Sequence, residues 1–338
     1  MSELEDAWAI VESSGGAGPE LLQKRLFPES KLHLFAVVDP MRRYVGIQLQ
    51  VRSTSVPSGR AYPSSGAFQV LAVRVGTMTR ISIMLDRSEF RDVFREMCDD
   101  VLMACLSAGS DETQATRNLI DRLTAWRDLF RGDAPAPLGE AEQLGLLGEL
   151  LFLERLLKMG IAPRATVGAW RGPLHDRHDF HFGPVHVEVK TTGSKPPYLA
   201  SIASLEQLDE TGIRQLFVWQ YVVSVGVTEG LTLPMVIERL RAQVEPESVR
   251  LAFNLMLARA RYLDGHASHY GKTYLVLSDD AFLVGDGFPA LKRKEVPIAV
   301  ASARYDLDLS KVPTSFAVGT AAAITAVKSA IDEVSAST

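Results

Sequence analysis

Apolar and polar positions change rhythm several times along the chain. Between residues 31 and 86 the runs 32–38, 44–51, 68–75 and 80–85 are apolar or alternate at period two. Turn residues such as Asp39-Pro40 and Pro57-Ser58-Gly59 interrupt them. This pattern predicts four strands. The rhythm then lengthens, and 88–108 and 111–131 read as two helices. Asp86 and Glu89 are spaced as a capping box, Ser110 is placed as an N-cap, and Gly132 is placed as a stop. Asp133-Ala134-Pro135-Ala136-Pro137 has the composition of a linker. Residues 1–132 thus predict an N-terminal domain of sheet plus two helices, followed by a linker at 133–137.

Beyond the linker, 138–159 is apolar nearly all round, the signature of a helix buried in a core, with Gly160 as its stop. Strands are predicted at 178–182 and 185–191, a helix at 201–210 and an apolar strand at 215–225. Residues 138–225 would form a second core. Helices at 233–243, 246–263 and 318–334, with strands at 273–277, 281–284 and 298–303, would make 226–338 a C-terminal α/β extension packed on it. The fold class is α/β, or α+β taken as a whole.

Composition narrows the picture. The chain has 338 residues, 46% hydrophobic and 23% charged, which suffices for real cores and excludes general disorder. No apolar run is long enough to span a membrane, and the N-terminus (Met1-Ser2-Glu3-Leu4-Glu5-Asp6) is acidic rather than signal-like. A cytoplasmic protein is expected. Cys98 and Cys105 are spaced two helical turns apart and read as small buried thiols. The glycine-rich Ser13–Pro19 stretch lacks a following Gly-Lys-Ser/Thr and reads as a plain loop. The net charge of −5 argues against a broadly basic nucleic-acid binder. Locally, however, Lys158, Arg164, Arg171, Arg177, Lys190 and Lys195 outnumber Asp176, Asp179 and Glu188.

That local segment carries the chemistry. In 177–192, Phe180 and Phe182 point one way and Asp179 and His181 the other. Val185, Val187 and Val189 likewise oppose His186, Glu188 and Lys190. A connection centred on Gly183-Pro184 sets His181 opposite His186 and Asp179 opposite Glu188. Carboxylates held about 5 Å apart repel unless a positive charge lies between them. A divalent cation, Mg²⁺ or Mn²⁺, answers that need, and Lys190 on the same face could stabilise charge developing on a phosphate. Glu149, flanked on its helix by Gly145, Leu146, Phe152 and Leu153, is a third carboxylate that is costly to bury without a partner. A buried ion pair to an arginine is its alternative role.

Four of the seven histidines (His175, His178, His181, His186) fall within twelve positions. A histidine-based metal site is therefore a rival reading. An extended 178–182 puts His178 and His181 on opposite faces, so His181 and His186 are expected to line the cleft or touch nucleic acid. Asp279-Asp280 reads as a turn and Lys292-Arg293-Lys294 as a short basic loop. Trp126, Trp170 and Trp219 read as core, with Trp170 beside Arg171 as a candidate cleft border. No Gly-x-Ser-x-Gly elbow suggests a serine hydrolase.

The order of a helix bearing Glu149 (Gly145-Leu146-Leu147-Gly148-Glu149-Leu150), then His178-Asp179, then Glu188-Val189-Lys190, then a helix starting near Ser204 resembles the PD-(D/E)XK nuclease superfamily. It is most similar to a bacterial branch encoded beside antiphage defence and restriction-type genes. The local motifs cover about 70 residues, with His178 where the motif's name has proline. The resemblance implies a restriction-endonuclease-like core, a four-stranded mixed sheet flanked by helices. It also implies metal-dependent phosphodiester hydrolysis. Asp179 and Glu188 match the metal ligands, with the Val189 carbonyl as a further ligand. Lys190 matches the catalytic lysine, Glu149 the helix-borne acid and Gln207 a polar helix residue beside the site. Thr191, Thr192, Lys195 and His181 are candidate nucleic-acid contacts. The implied partners are DNA and proteins of the same operon such as a helicase-like ATPase, and self-association is compatible with this. A catalytically silent binding or scaffold subunit and a ribonuclease are the alternatives.

Overall fold

A computed structural model describes residues 3–14, 21–41, 44–57, 62–130 and 135–336. The expected Gly132 stop, the glycines of the 13–19 loop and Asp133-Ala134 of the linker lie outside these residues. The chain divides into two units, Met1–Pro137 with Arg250–Gly265, and Leu138–Val249 with His266–Thr338. This corrects the expected four-part division, because 250–265 joins the first unit rather than a C-terminal extension.

In the first unit, α1 (Glu3–Ser13) and β1 (Leu22–Leu26) precede β2 (His33–Asp39), β3 (Tyr44–Arg52), β4 (Phe68–Val75) and β5 (Met78–Leu85). All pair antiparallel in the order β1-β2-β3-β5-β4. The pattern of the sequence did not mark α1 or β1. Two long helices follow, α2 (Arg91–Leu106) and α3 (Glu112–Trp126). A 3-10 turn at Ser88–Phe90 leads into α2, so the Asp86/Glu89 box does not cap it. Asp111, not Ser110, caps α3, by accepting from Thr113 N and Gln114 N. Trp8, Phe68, Phe90, Phe94 and Phe130 fill the core between sheet and helices. Arg122 and the Trp126 indole both bond Asp100, and Arg122 also donates to the Leu251 carbonyl. That bond ties the 250–265 segment into this unit. Cys98 and Cys105 are buried and unbridged, and burial pushes the Cys105 thiol up to about 12.

The second unit opens with α4 (Glu140–Lys158) and α5 (Pro163–Ala169). Glu142 reaches back to the Gly139 amide at 2.8 Å and fixes where α4 starts. Strands β6 (Phe180–Phe182), β7 (Val185–Gly193), β8 (Leu199–Ile202), β9 (Gln215–Val225) and β10 (Leu231–Thr232) lead to α6 (Leu233–Gln243). Then come α7 (Glu247–Arg259), which runs across the unit boundary, β11 (Thr273–Val284), β12 (Tyr305–Asp308) and α8 (Gly319–Ala336). The main sheet runs β10-β11-β9-β7-β6. Only β7 and β9 are parallel, so the sheet is mixed, and it has five strands where the resemblance implied four. β8 and β12 form a separate two-stranded ribbon. No helix was formed at 201–210, where the chain makes β8 and then turns. The two strands expected at 273–284 are one strand with an irregularity between Val276 and Ser278. Asp279 and Asp280 therefore sit in β11, not in a turn, and 298–303 is not a strand. Among the described residues no helix is long and apolar enough to cross a membrane.

The β6–β7 hairpin has the expected register, Phe182 opposite Val185 and His181 opposite His186. Gly183 turns it with φ of +60°, a region that disfavours side chains. Phe152 of α4 meets Phe180 of β6 and Trp219 of β9 edge-on, with ring centroids 4.8 and 4.9 Å away. Burying each such ring is worth about 1.5–3 kcal/mol. The helix can come this close because of Gly148. A methyl carbon there would lie 2.0 Å from Thr191 Oγ1 and 3.2 Å from Val189 Cγ1 of β7. Thr191 is stiff at χ1 and cannot swing clear without cost.

Gly148→Ala is therefore expected to destabilise the fold by about 1–3 kcal/mol, the usual range for overpacking. Thr191→Ala in the same chain should recover most of that loss. Denaturant unfolding of the three variants measures it, and additive effects would contradict the contact.

Candidate active site

Three acids and one amine converge at the edge where α4, the 170–172 turn and the β6–β7 hairpin meet. Asp179 precedes β6, and its backbone carbonyl accepts from Arg171 N (2.7 Å) and Gly172 N (3.1 Å). Its side chain Oδ2 accepts from the Val189 amide at 2.7 Å. The hairpin pairing thus extends, through a side chain, to bring Asp179 beside the Glu188–Lys190 stretch. Glu188 is 1% exposed. Its Oε1 accepts from Lys190 Nζ at 2.8 Å and from Gln207 Nε2 at 2.5 Å. Its Oε2 is buried with no hydrogen-bond partner.

Glu149 reaches the same place from α4, where its Oε2 accepts from the Trp170 indole at 2.6 Å. No arginine ion pair to Glu149 occurs among the described residues, which removes its structural alternative. Gly172 separates the acids. A methyl carbon on it would lie 2.2 Å from Glu149 Oε2 and 3.2 Å from Asp179 Oδ1. Any side chain at 172 would fill the space the carboxylates share.

The charges act on one another strongly. Burial, then Asp179, pushes the Glu188 carboxyl up to about 8 against the pull of Lys190. Burial and the charges of Asp179 and Glu188 raise Glu149 well above the ordinary carboxylate range. Burial also raises Asp179, although Lys190 and the Val189 amide oppose it. Burial works against the Lys190 ammonium, but Glu188, Asp179 and Glu149 outweigh it and its pKa is raised. Lys190 is thus a fixed positive charge and not a base at neutral pH.

Three carboxylates against one ammonium leave an excess of buried negative charge once all are ionised. The partnerless Glu188 oxygen lies within that excess. A small, hard divalent cation fits this donor set, since such ions take carboxylate oxygens. Glu188, Asp179 and Glu149 are the side chains that could hold it, with Lys190 and Gln207 fixing Glu188.

The other expected contacts separate. Gln207 is beside Glu188 as expected, but on a turn and not a helix. Its Oε1 accepts from Ala203 N at 2.8 Å, which orients the amide. Thr191 packs its hydroxyl against α4 at Gly148. Thr192 is 3% exposed and bonded to Gln220, so neither threonine is presented to a ligand. Lys195 is exposed, in the segment between β7 and β8.

The local basic excess is partly spent. Lys158 pairs with Glu154, Lys190 with Glu188, and Arg177 donates to the Glu206 and Asp209 carbonyls. Two of the three residues of the 292–294 basic cluster are likewise engaged within the fold. Lys292 is 1% exposed and bonds Gly285 O and Glu210, while Arg293 donates to the Val300 and Pro297 carbonyls.

His178 does not lie opposite His181. The strand begins only at Phe180, so the alternation stops there, and His178, His181 and His186 cluster. Burial lowers all three pKa values, to about 3 for His178 and about 4 for His186. Trp170, expected as core or cleft border, holds Glu149 instead, and Gly172 was missed as a site residue. The signal available was a Trp-Arg-Gly-Pro turn shortly before Asp179.

A mixed sheet flanked by helices, with one acid from a helix and a carboxylate-x-lysine pair on a central strand, defines a protein of the PD-(D/E)XK class. Residues 4–310 match the profile of a family described as "Putative PD-(D/E)XK family member, (DUF4420)", and the chain belongs to that family. No curated protein matches it, and no solved structure does. Members of the wider class are nuclease-like and generally use divalent metals.

The raised Glu188 pKa has a consequence for stability. Without a cation, the native state holds a proton on Glu188 between its ordinary 4.5 and about 8, where the unfolded chain has lost it. Stability therefore falls as pH rises through that window. At pH 8 in chelator, Glu188→Gln is expected to melt about 2–4 °C above the wild type, the effect of roughly 1 kcal/mol in a domain of this size. The gain should vanish near pH 4.5. A variant that melts below the wild type at pH 8 would contradict the burden assigned to Glu188.

Proposed function

We propose that this protein is a divalent-metal-dependent endonuclease that hydrolyses phosphodiester bonds of DNA. We place it as the nuclease component of a bacterial antiphage defence or restriction system. The observation that carries the hydrolytic reading is the partnerless buried Oε2 of Glu188, set among Asp179, Glu149 and Lys190. A bare carboxylate oxygen in an already negative, desolvated site is a standing cost that binding of a cation relieves. Magnesium or manganese fits the oxygen ligands, with the Val189 carbonyl as an additional donor.

When bound, the cation supplies Lewis-acid polarisation of a phosphate oxygen and offsets the charge of the scissile group. The residues of the chain do the rest. As an ammonium 2.8 Å from Glu188, Lys190 stabilises negative charge as the phosphate is attacked and can orient a water by donation. Trp170 holds Glu149 by its indole N–H, which leaves the rest of that carboxylate to orient water. Gln207 keeps Glu188 in one rotamer through its paired bonds to Glu188 and Ala203. Gly172 leaves the floor of the site clear of any side chain. Lys195 is the candidate contact to the nucleic-acid backbone, and a helicase-like ATPase is the kind of operon partner this role suits.

Incubation of the protein with double-stranded DNA and Mg²⁺ or Mn²⁺, with operon partners present, is expected to give strand cleavage. Glu188→Ala and Lys190→Ala should each lower the rate by at least about 10²–10³-fold, as removal of a charge-stabilising group does. Cleavage that persists in both variants would overturn the assignment. Cleavage of RNA alone would make the protein a ribonuclease. DNA binding with neither cleavage nor a metal effect would make it a scaffold.

Gln207→Ala is expected to weaken Mn²⁺ binding by about 10–100-fold, the usual cost of losing a supporting group. Calorimetric titration reads this directly. Unchanged affinity would remove Gln207 from the site.

A further inference from the structure

The three clustered histidines belong to none of the chemistry above. His181 and His186 are directly opposed across the hairpin, with rings stacked 3.9 Å apart at 8°. His178 closes the group from below, 1% exposed, with its Nδ1 3.0 Å from the Nδ1 of His186. One ring nitrogen of each lies within 4.8 Å of the other two.

The hydrogen bonds fix which nitrogens are bare. His186 Nε2 lies 3.2 Å from the Gly183 carbonyl, which can only accept, so its proton sits there and Nδ1 carries the lone pair. His181 turns Nδ1 toward the Asp176 carboxylate at 3.7 Å, while its Nε2 is buried with no partner. His178 donates from Nδ1 to the bare His186 Nδ1, and its own Nε2 is then a buried lone pair with no donor. A hydrophobic core would not choose three imidazoles with two partnerless nitrogens.

We propose that His178, His181 and His186 form a second metal site, for a transition-metal ion of the zinc type, distinct from the carboxylate centre. Imidazole nitrogens select such ions, whereas magnesium takes oxygen. Nitrogens on one tetrahedral zinc, with bonds of about 2.0 Å, lie about 3.3 Å apart. An ion must lie near the plane of each ring it binds, so His181 and His186 unstack on binding, and His186 Nδ1 exchanges its His178 partner for the ion, with water as the fourth ligand. The Gly183 carbonyl and Asp176 carboxylate are the supporting acceptors that zinc-bound histidines use on their other nitrogen. Because His178 adjoins Asp179, the ion would clamp the hairpin and hold the base of the segment that carries this acid.

The test uses the full chain, stripped by chelator and held in excess Mg²⁺ so that the carboxylates are occupied. Zinc is expected to bind at one ion per chain by calorimetry and to raise the melting temperature. Cobalt should give the visible absorption of a tetrahedral nitrogen site, and zinc should displace it. His186→Gln should weaken zinc binding by more than about 100-fold, beyond the loss of a supporting group. Glu188→Gln should leave zinc binding unchanged. Absence of zinc binding to the wild type would overturn the proposal, and that result needs no variant to fold. Zinc binding retained in His186→Gln, or lost in Glu188→Gln, would overturn it as well. None of these results bears on whether DNA is cut.

Discussion

The second unit is arranged around one carboxylate taken out of water. Glu188 sits on the interior strand β7, and one of its oxygens is held by both Lys190 and Gln207 while the other has no hydrogen-bond partner. An ammonium beside it recovers part of the desolvation cost, but Asp179 and Glu149 add to it. A sequence selected for stability alone would not keep that arrangement, and a leucine or glutamine would suit the burial better. Such local conflict in an otherwise consistent fold marks a place where function sets the residues.

The rest of the unit keeps the conflict from relaxing. α4 is locked on β7 by the absence of a side chain at Gly148 and by Phe152 between Phe180 and Trp219. Glu149 cannot withdraw, because Trp170 holds it, and Asp179 is fixed through both its backbone carbonyl and its side chain. Four separate elements therefore converge with little freedom, which is the condition for electrostatic preorganisation. Two glycines do this by subtraction, Gly148 by admitting β7 and Gly172 by leaving room for two carboxylates.

Much of this was legible in the residues. Period-two alternation on both sides of Gly183-Pro184 fixed the hairpin register, and through it the meeting of Asp179 with the Glu188 strand. The apolar α4 with one acid in its middle announced Glu149. What could not be read were contacts set by tertiary packing. The Trp-Arg-Gly-Pro turn marks where Trp170 and Gly172 lie, but not that the indole reaches Glu149 or that the glycine leaves room for two carboxylates. Gln207 was found for the wrong reason, since a turn presents it and not a helix. The histidines were misjudged because alternation was carried two residues past the start of β6. Thr191 and Thr192 were misplaced because a hydroxyl after an active-site lysine looks available until the packing of α4 and the bond to Gln220 are known.

The first unit is not one stretch of chain. Residues 250–265 belong to it, with Ala258 and Leu263 in its apolar core and the Leu251 carbonyl bound by Arg122, yet more than a hundred residues of the other unit come between. During synthesis the N-terminal sheet and its two helices would leave the ribosome well before the segment that completes them. Most of the site-bearing unit would already have been made by then. The first unit must wait, with part of its apolar surface uncovered, and the exposed surface of a waiting intermediate is what chaperones bind. Cutting the gene at the proline-rich junction after 134 would yield a fragment missing part of its own interior.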